Sequence, residues 1–320
     1  MNGIENNEIL LSICIPTYNR AEYLEQTIVS IIKQKIFQET NIVEIIVSDN
    51  CSEDNTGEVL KKYLEIYGDK IRYCKNTENI KDKNFEKVLS YGKGVFLKLN
   101  NDTLMHNDDT LSKMIKVINQ NVNKKDILFF SNGSLNEVSS LNCSDLNEFV
   151  KFASFYSTWI ACFGIWKVDF EKIDNFSRNA HLQLVQTDVL FRLIESKRAI
   201  YIDNSLIFNS LTPSNKGGYN IYKVFVTNYL GLYKEYRISK KISWTTLFIE
   251  KYKLMRYFLT PWTLTLWKQK SQFSFESKGL LIILLKEYWF HPFFYLSIPH
   301  LSLKLLIISV SNFKKRFVDK

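Results

Sequence analysis

An α/β fold built on a mostly parallel sheet is what this sequence predicts. Four short apolar runs occur in the first hundred residues, each stops at a polar loop, and helical spacing follows the first three. Strand, loop and helix alternating at this pitch mean parallel strands joined by right-handed crossovers. The composition agrees: 320 residues, 46% hydrophobic and 23% charged, describe a chain that buries a core rather than a disordered or collagen-like one. At roughly 150 residues per domain the length allows two domains, or one with an extension.

The elements follow in order. Ile9 to Ile15 is a continuous run with β-branched residues, as a strand buried on both faces requires, and it ends at Pro16-Thr-Tyr-Asn-Arg20. Residues 21–35 then place Leu24, Ile28, Ile31 and Ile32 on one helical face. Ile42 to Val47 predicts the second strand, Ser48 to Thr56 its loop, and Val59, Leu60 and Tyr63 the face of a helix from Gly57 to Ile66. Ile71 to Cys74 is the third strand, with a helix around Phe85 to Leu89. Val95 to Leu99 is the fourth, ending at Asn100-Asn-Asp-Thr-Leu104. Ligands of such sheets bind at the carboxyl ends of the strands, where Pro16–Arg20, Ser48–Asn50 and Asn100–Asp102 all fall. The chain has no GxGxxG, GxxxxGK[ST] or GxSxG sequence, which removes the main support for dinucleotide, P-loop and hydrolase readings.

Charge divides the chain. Residues 1–228 carry 26 Lys and Arg against 28 Asp and Glu, whereas residues 229–320 carry 16 against 5, so the net +9 belongs to the tail. Asparagine falls away at the same point, with 27 of 28 before residue 229, while Trp244, Trp262, Trp267 and Trp289 come after it. A body over 1–228 and a basic, aromatic helical extension over 229–320 are expected. In the extension Leu280 to Leu285, Tyr288 to Phe290, Phe293 to Tyr295 and Leu303 to Val310 alternate with Lys and Arg, and Lys314-Lys-Arg316 follows. A spanning helix needs about 20 apolar residues; Lys286, Glu287, Pro292, Pro299 and Lys304 interrupt each candidate. The pattern points to helices lying on an anionic membrane surface from the cytoplasmic side, with a helical layer packed on the body as the alternative. Its Trp- and Leu-rich spacing does not suit a nucleic-acid groove. Met1 to Glu8 is polar and has no leader pattern, so a cytoplasmic, peripheral protein is expected. Five cysteines without a CxxC pair read as buried thiols, not as disulfides or a zinc site.

Taken together, Ile13-Cys-Ile-Pro-Thr-Tyr-Asn-Arg20, Val47-Ser-Asp-Asn-Cys-Ser-Glu-Asp-Asn-Thr56 and Asn100-Asn-Asp102 resemble the three successive signatures of family 2 glycosyltransferases with the GT-A fold. The match covers about the first 105 residues, and three motifs in order on three strand ends make it specific. The resemblance implies a nucleotide-sugar half over 1–105 and an acceptor-side half over 106–228. It also implies inverting transfer of a sugar from a UDP- or dTDP-sugar to a hydroxyl of a lipid-linked glycan in surface polysaccharide assembly. The departing diphosphate gathers negative charge that a divalent cation, Mg²⁺ or Mn²⁺, offsets with oxygen ligands. Asp102 is the carboxylate expected there, with a helix N-cap as its bland alternative. Asn100 and Asn101 stand where acidic residues are usual, which weakens the metal site and points to Mn²⁺ or partial metal independence.

By the same resemblance Asp49 accepts the base imide N–H, although an Asx-turn explains it too. Pro16, Thr17, Tyr18 and Arg20 frame the nucleotide, Arg72 stacks near the base, and Asn101 lies by the sugar diphosphate. Asp54 fits the family loop, yet capping a helix near Thr56 accounts for it equally. Asp188, 86 residues after Asp102 and leading an apolar helical run, is the expected base for the acceptor hydroxyl. Its alternative is a helix-start aspartate, because Thr187 replaces the family's acidic neighbour; His181 is the competitor. Asn215-Lys-Gly-Gly-Tyr219 reads as a flexible loop whose Lys216 could close over the diphosphate. No QxxRW sequence occurs, so a single-addition enzyme is expected. The eroded acidic motif keeps a second class open, a non-catalytic nucleotide-sugar or glycan-binding subunit.

Overall fold

The computed structural model describes residues 8–135, 138–196, 198–213, 216–268, 273–299, 302–304 and 306–307. It divides into two compact units, Met1–Phe149 with Tyr156–Pro213, and Val150–Phe155 with Ser214–Lys320. The continuous part of the second unit, from Ser214, begins fifteen residues before the compositional shift at 229.

In the first unit the strands are β1 (Leu11–Thr17), β2 (Val43–Asp49), β3 (Ile71–Lys75), β4 (Phe96–Leu99), β5 (Leu104–His106), β6 (Ile127–Phe130), β7 (Ser140–Cys143), β8 (Gly164–Trp166), β9 (Ile200–Asp203) and β10 (Phe208–Ser210). The main sheet runs β3-β2-β1-β4-β8. Its first four strands are parallel, and β8 closes the edge antiparallel to β4. Every residue of β2 and all but Pro16 of β1 are buried, which is why these strands read as continuous apolar runs. The helix Ala21–Ile32 buries Leu24, Ile28 and Ile31, and Thr56–Tyr67 buries Leu60 and Tyr63, the faces that their spacing marks. Two smaller sheets complete the unit, β6-β9-β7 and the antiparallel pair β5–β10. Register sets up the functional edge: Thr17 lies opposite Asp49, and Asp49 opposite Lys75, so the loops after β1, β2 and β3 leave the sheet at one level.

The second unit contains β11 (Lys216–Asn220) and β12 (Phe273–Glu276), paired in parallel, with helices Tyr229–Ile238, Trp244–Lys253, Thr260–Lys268 and Leu280–Tyr288. Residues 216–220 are therefore a strand and not the flexible loop that their glycines suggest. Gly217 has φ 143°, and a Cβ there would stand 2.5 Å from the Ser274 carbonyl carbon, so only glycine lets the two strands meet. Asn215, Lys314, Lys315 and Arg316 lie outside the described residues, as does the Lys216 side chain. Among the described residues no helix is long and apolar enough to cross a membrane. All five cysteines are free; Cys14, Cys143 and Cys162 are buried, whereas Cys51 and Cys74 are only half-buried, because each sits at the polar end of its strand or loop.

A carboxylate lies inside the second unit. Glu250 Oε1 accepts from Ser154 Oγ at 2.9 Å and Tyr229 Oη at 2.8 Å, while Oε2 is buried without a partner. Burial pushes its carboxyl up to about 7, against the pull of those hydrogen bonds. The unfolded chain ionises this group near 4.5, so its contribution is fully present below that pH and is lost as pH rises to about 7. Glu250→Gln removes the charge and keeps the shape. Thermal denaturation should show it stabilised over the parent by ~1 kcal/mol or more at pH 8, with the gap closing towards pH 5.

Candidate active site

The loops after β1 and β4 are joined through one buried carboxylate. Thr17 Oγ1 donates to Asp102 Oδ2 at 2.9 Å, and Arg20 Nη1 donates to Asp102 Oδ1 at 2.9 Å. Burial pushes the Asp102 carboxyl above its ordinary value, against the charge and hydrogen bond of Arg20 and the hydrogen bond of Thr17. Of the flanking residues, Pro16 is half-buried and Tyr18 is exposed.

The loop after β2 is stitched to the first. Asn19 N donates to Ser52 Oγ, Glu53 N to Asn19 Oδ1, and Asn50 N to the Thr17 carbonyl. Asn19 has φ 51°, a turn conformation that asparagine tolerates. Asp54 ties the starts of two helices: Oδ2 accepts from Ala21 N at 3.0 Å, and Oδ1 accepts from Thr56 N at 3.1 Å and Thr56 Oγ1 at 2.5 Å. Against the upward push of burial, the bonds from Thr56 and Ala21 hold its carboxyl below its usual value. Capping is thus what Asp54 does here.

Asp49 is fully buried at the end of β2. Its Oδ1 accepts from Ser52 N, three residues on, at 2.8 Å, and its Oδ2 accepts from Tyr73 Oη at 2.7 Å. Burial and the Asp49 carboxylate push the Tyr73 hydroxyl well above its ordinary value. Arg72 points elsewhere and donates to the Tyr91 carbonyl at 3.0 Å. Neighbours on a strand face opposite ways, so Tyr73, two register positions before Lys75 on the face of Asp49, reaches its carboxylate and Arg72 does not.

Asn100 Oδ1 meets His106 Nε2 at 2.9 Å, and its Nδ2 donates to the Asn101 carbonyl, so Asn100 serves the loop's shape. Asn101 differs: its Oδ1 is buried and has no partner. Asp102 and the amide oxygen of Asn101 are hard oxygen donors of the kind that Mg²⁺ or Mn²⁺ takes, with both Asp102 oxygens here accepting from Thr17 and Arg20. Among the described residues no group of three His, Cys, Asp or Glu side chains gathers around a metal position.

Asp188 lies in the first turn of the helix Val185–Glu195 and is fully buried. Arg178 donates to both of its oxygens, Nε to Oδ2 at 2.9 Å and Nη2 to Oδ1 at 2.5 Å, and Arg192 Nε stands 3.2 Å from Oδ2. His181 is exposed on the short turn Ala180–Leu182. Sequence reading missed Tyr73 and Arg178. Strand alternation could have offered Tyr73 once the register of β2 and β3 was known, whereas nothing local marks Arg178.

The loops gather at the carboxyl edge of a mostly parallel open sheet, around two buried aspartates, which is where α/β proteins of this class place their ligands. Residues 12–165 match the sequence model of the family described as Glycosyl transferase family 2. Abequosyltransferase RfbV of Salmonella typhimurium (strain LT2) is 38% identical over 106 residues, 33% of this chain and 30% of that protein. Validoxylamine A glucosyltransferase of Streptomyces hygroscopicus subsp. jinggangensis is 40% identical over 63 residues, 20% of this chain and 14% of that protein. The chain thus spans less than a third of the length of these curated relatives. Among solved structures, S. aureus TarS 1-349 in complex with UDP gives a TM-score of 0.53 at 16% identity, covering 75% of this chain and 65% of that one. The mannosyltransferase PcManGT from Pyrobaculum calidifontis, in complex with GDP-Man and Mn²⁺, gives 0.52 at 14% identity, covering 95% and 86%. Residues 12–165 are thus similar to family 2 glycosyltransferase domains, and the fold is of the GT-A type.

The clamp on Asp188 has a measurable consequence. Arg178→Ala leaves a fully buried carboxylate with a single guanidinium 3.2 Å away, and chemical denaturation should show a loss of about 3 kcal/mol. Arg178→Lys, which lacks the planar fork, should recover only part of it. An unchanged midpoint for Arg178→Ala would mean that Arg192 alone satisfies the carboxylate.

Proposed function

We propose that this chain is an inverting glycosyltransferase that moves one sugar from a UDP- or dTDP-sugar to a hydroxyl of a lipid-linked glycan during surface polysaccharide assembly, at the cytoplasmic face of a membrane. The observation that carries the reading is the clasp of Thr17 and Arg20 on Asp102 beside buried Asp49. The donor class is argued from Asp49. A carboxylate oxygen has two lone pairs, so Oδ2 can accept both the Tyr73 hydroxyl and the imide N–H of a uracil or thymine ring. The stacked surface comes from exposed Tyr18 in the adjoining loop.

Asp102 and Asn101 would hold a divalent cation, which supplies charge to the diphosphate as it leaves. Arg20 brings a fixed positive charge to the same place, where a preorganised cation lowers the transition-state energy without reorganising water. Two sources of positive charge explain how a single carboxylate can suffice. Asp188 is the base that takes the proton of the acceptor hydroxyl, oriented by Arg178 and Arg192; His181 is its rival. The membrane assignment draws on exposure: among the described residues, 17 of the 22 large exposed hydrophobic side chains lie from Ile238 onward.

Asp102→Asn should lower transfer by roughly 100-fold or more, with circular dichroism showing the fold retained, because the amide keeps the shape and removes only the charge paired with Arg20. Asn101→Asp should tighten Mn²⁺ binding. Undiminished turnover in Asp102→Asn would reject the site. A chain that binds nucleotide sugars but neither hydrolyses nor transfers any of them would instead be a binding subunit, a reading that Asp102, with both oxygens already engaged, also admits.

Exchange at the acceptor side separates the two candidate bases. Asp188→Asn should cut transfer by roughly 100-fold while calorimetry still shows donor binding, since a base acts on the transition state. His181→Ala should cost less. The reverse order of effects reassigns the base to His181.

A further inference from the structure

Within the second unit, the helices Tyr229–Ile238, Trp244–Lys253 and Leu280–Tyr288 surround a cavity of about 650 Å³. Three lysines, Lys234, Lys251 and Lys286, line it against one carboxylate, Glu287. Lys234 Nζ lies 2.8 Å from Glu287 Oε1 and neutralises it, while Lys251 Nζ donates to the Glu287 carbonyl at 2.6 Å and stands 3.8 Å from Oε2. Lys286 is exposed and, among the described residues, has no carboxylate partner. The cavity therefore holds a surplus of two positive charges.

His291 adds an unfilled polar position. It is 3% exposed, lines the cavity, and its ring is stacked on Phe248, which is stacked in turn on Trp244. His291 Nε2 faces the Phe248 carbonyl at 3.0 Å, and a carbonyl only accepts, so that nitrogen carries the hydrogen. Nδ1 is buried with no partner. A bound phosphate would supply one, through a P–OH donated to the neutral ring or a P–O⁻ accepting from a protonated one.

The rim of this cationic cavity is aliphatic and aromatic. Leu285, Trp289 and Phe290 line it and are 42%, 57% and 91% exposed, and Leu281 and Ile282, 71% and 74% exposed, share the helix of Leu285. A free nucleotide or a glycan would fill the charged part and leave these side chains in water. An amphiphile meets both parts.

We propose that this cavity seats the phosphate end of a membrane lipid bearing a phosphomonoester or diphosphate, whose hydrocarbon lies along the exposed face of Leu280–Tyr288. A dianionic head matches the surplus of two charges, whereas the phosphodiester of an ordinary anionic phospholipid carries one. The proposal rests on the transferase reading above and deepens it by naming the chemistry of the acceptor's carrier.

The test uses the full chain and phosphatidylcholine vesicles doped with phosphatidic acid, a phosphomonoester lipid, or with phosphatidylglycerol at matched total charge. The parent should bind the phosphatidic acid vesicles about tenfold more tightly, and Lys286→Gln should lose most of that preference while leaving donor hydrolysis unchanged. Equal binding to both vesicles overturns the proposal, as does a preference that survives Lys286→Gln. Full competition by inorganic diphosphate at equal concentration would make the cavity a free-phosphate site and also overturn it, and so would quenching of tryptophan fluorescence by a soluble glycan but not by phosphatidic acid. Should the parent prefer phosphatidic acid yet transfer and hydrolyse nothing, the cavity assignment stands and the transferase reading falls.

Discussion

The buried carboxylate of Asp102 is the constraint on which the candidate site depends. A carboxylate taken out of water is costly unless charge and hydrogen bonds replace the lost solvent. Here both replacements come from one loop, Thr17 on one oxygen and Arg20 on the other. That loop leaves β1, and Asp102 follows β4, so the pairing requires β1 and β4 to lie side by side and point the same way. They do, with Leu11 opposite Phe96 and Cys14 opposite Leu99. The backbone confirms the junction, since Asn100 N donates to the Cys14 carbonyl at 2.9 Å. Topology and electrostatics are thus one requirement expressed twice.

From the same junction the second loop is fixed. Asn50 N reaches the Thr17 carbonyl, Asn19 and Ser52 exchange a hydrogen bond, and Asp54 holds Ala21 N. The first is a backbone bond, and in the other two a short polar side chain accepts from a backbone N–H that no strand or helix satisfies. The polar composition of the motif loops therefore has two causes. Some residues, such as Asp54 and Asn100, are consumed by the loop's own hydrogen bonds. Others, such as Asn101 Oδ1, are left over, and the leftover atom is the one free for a ligand.

The strands and the first helices were legible in the sequence because a parallel sheet covered on both faces demands unbroken apolar runs, and a helix packed on it shows its buried stripe at 3.6-residue spacing. The three loops were legible for the same reason, as the places where those runs stop. What failed to show depends on register or on distant pairing. Choosing between Arg72 and Tyr73 needs the alignment of β3 with β2, and a shift of one residue inverts the answer. Residues 216–220 carry two adjacent glycines, a local signal for a loop, yet they pair with a strand more than fifty residues later. The Arg178 clamp on Asp188 comes from an irregular segment, which has no periodicity to read.

Charge partition gives the two halves of the chain different physics. Around the candidate site, buried carboxylates are matched by donors and by a guanidinium, so negative charge is held in place for a cationic or hydrogen-bonding ligand. In the second unit the balance is reversed: lysines outnumber carboxylates around the cavity, and the one carboxylate buried among hydroxyls, Glu250, sits near neutral pH in its ionisation. A surface with excess lysine beside exposed Leu, Ile and Phe is unstable against water on its apolar part and against desolvation on its charged part. An interface between water and hydrocarbon relieves both at once, because lysine stems lie along apolar surface while their ammonium groups stay among phosphates. On the membrane reading proposed above, the basic excess and the exposed aromatics in one stretch of sequence serve the same contact, where either feature alone would be a liability.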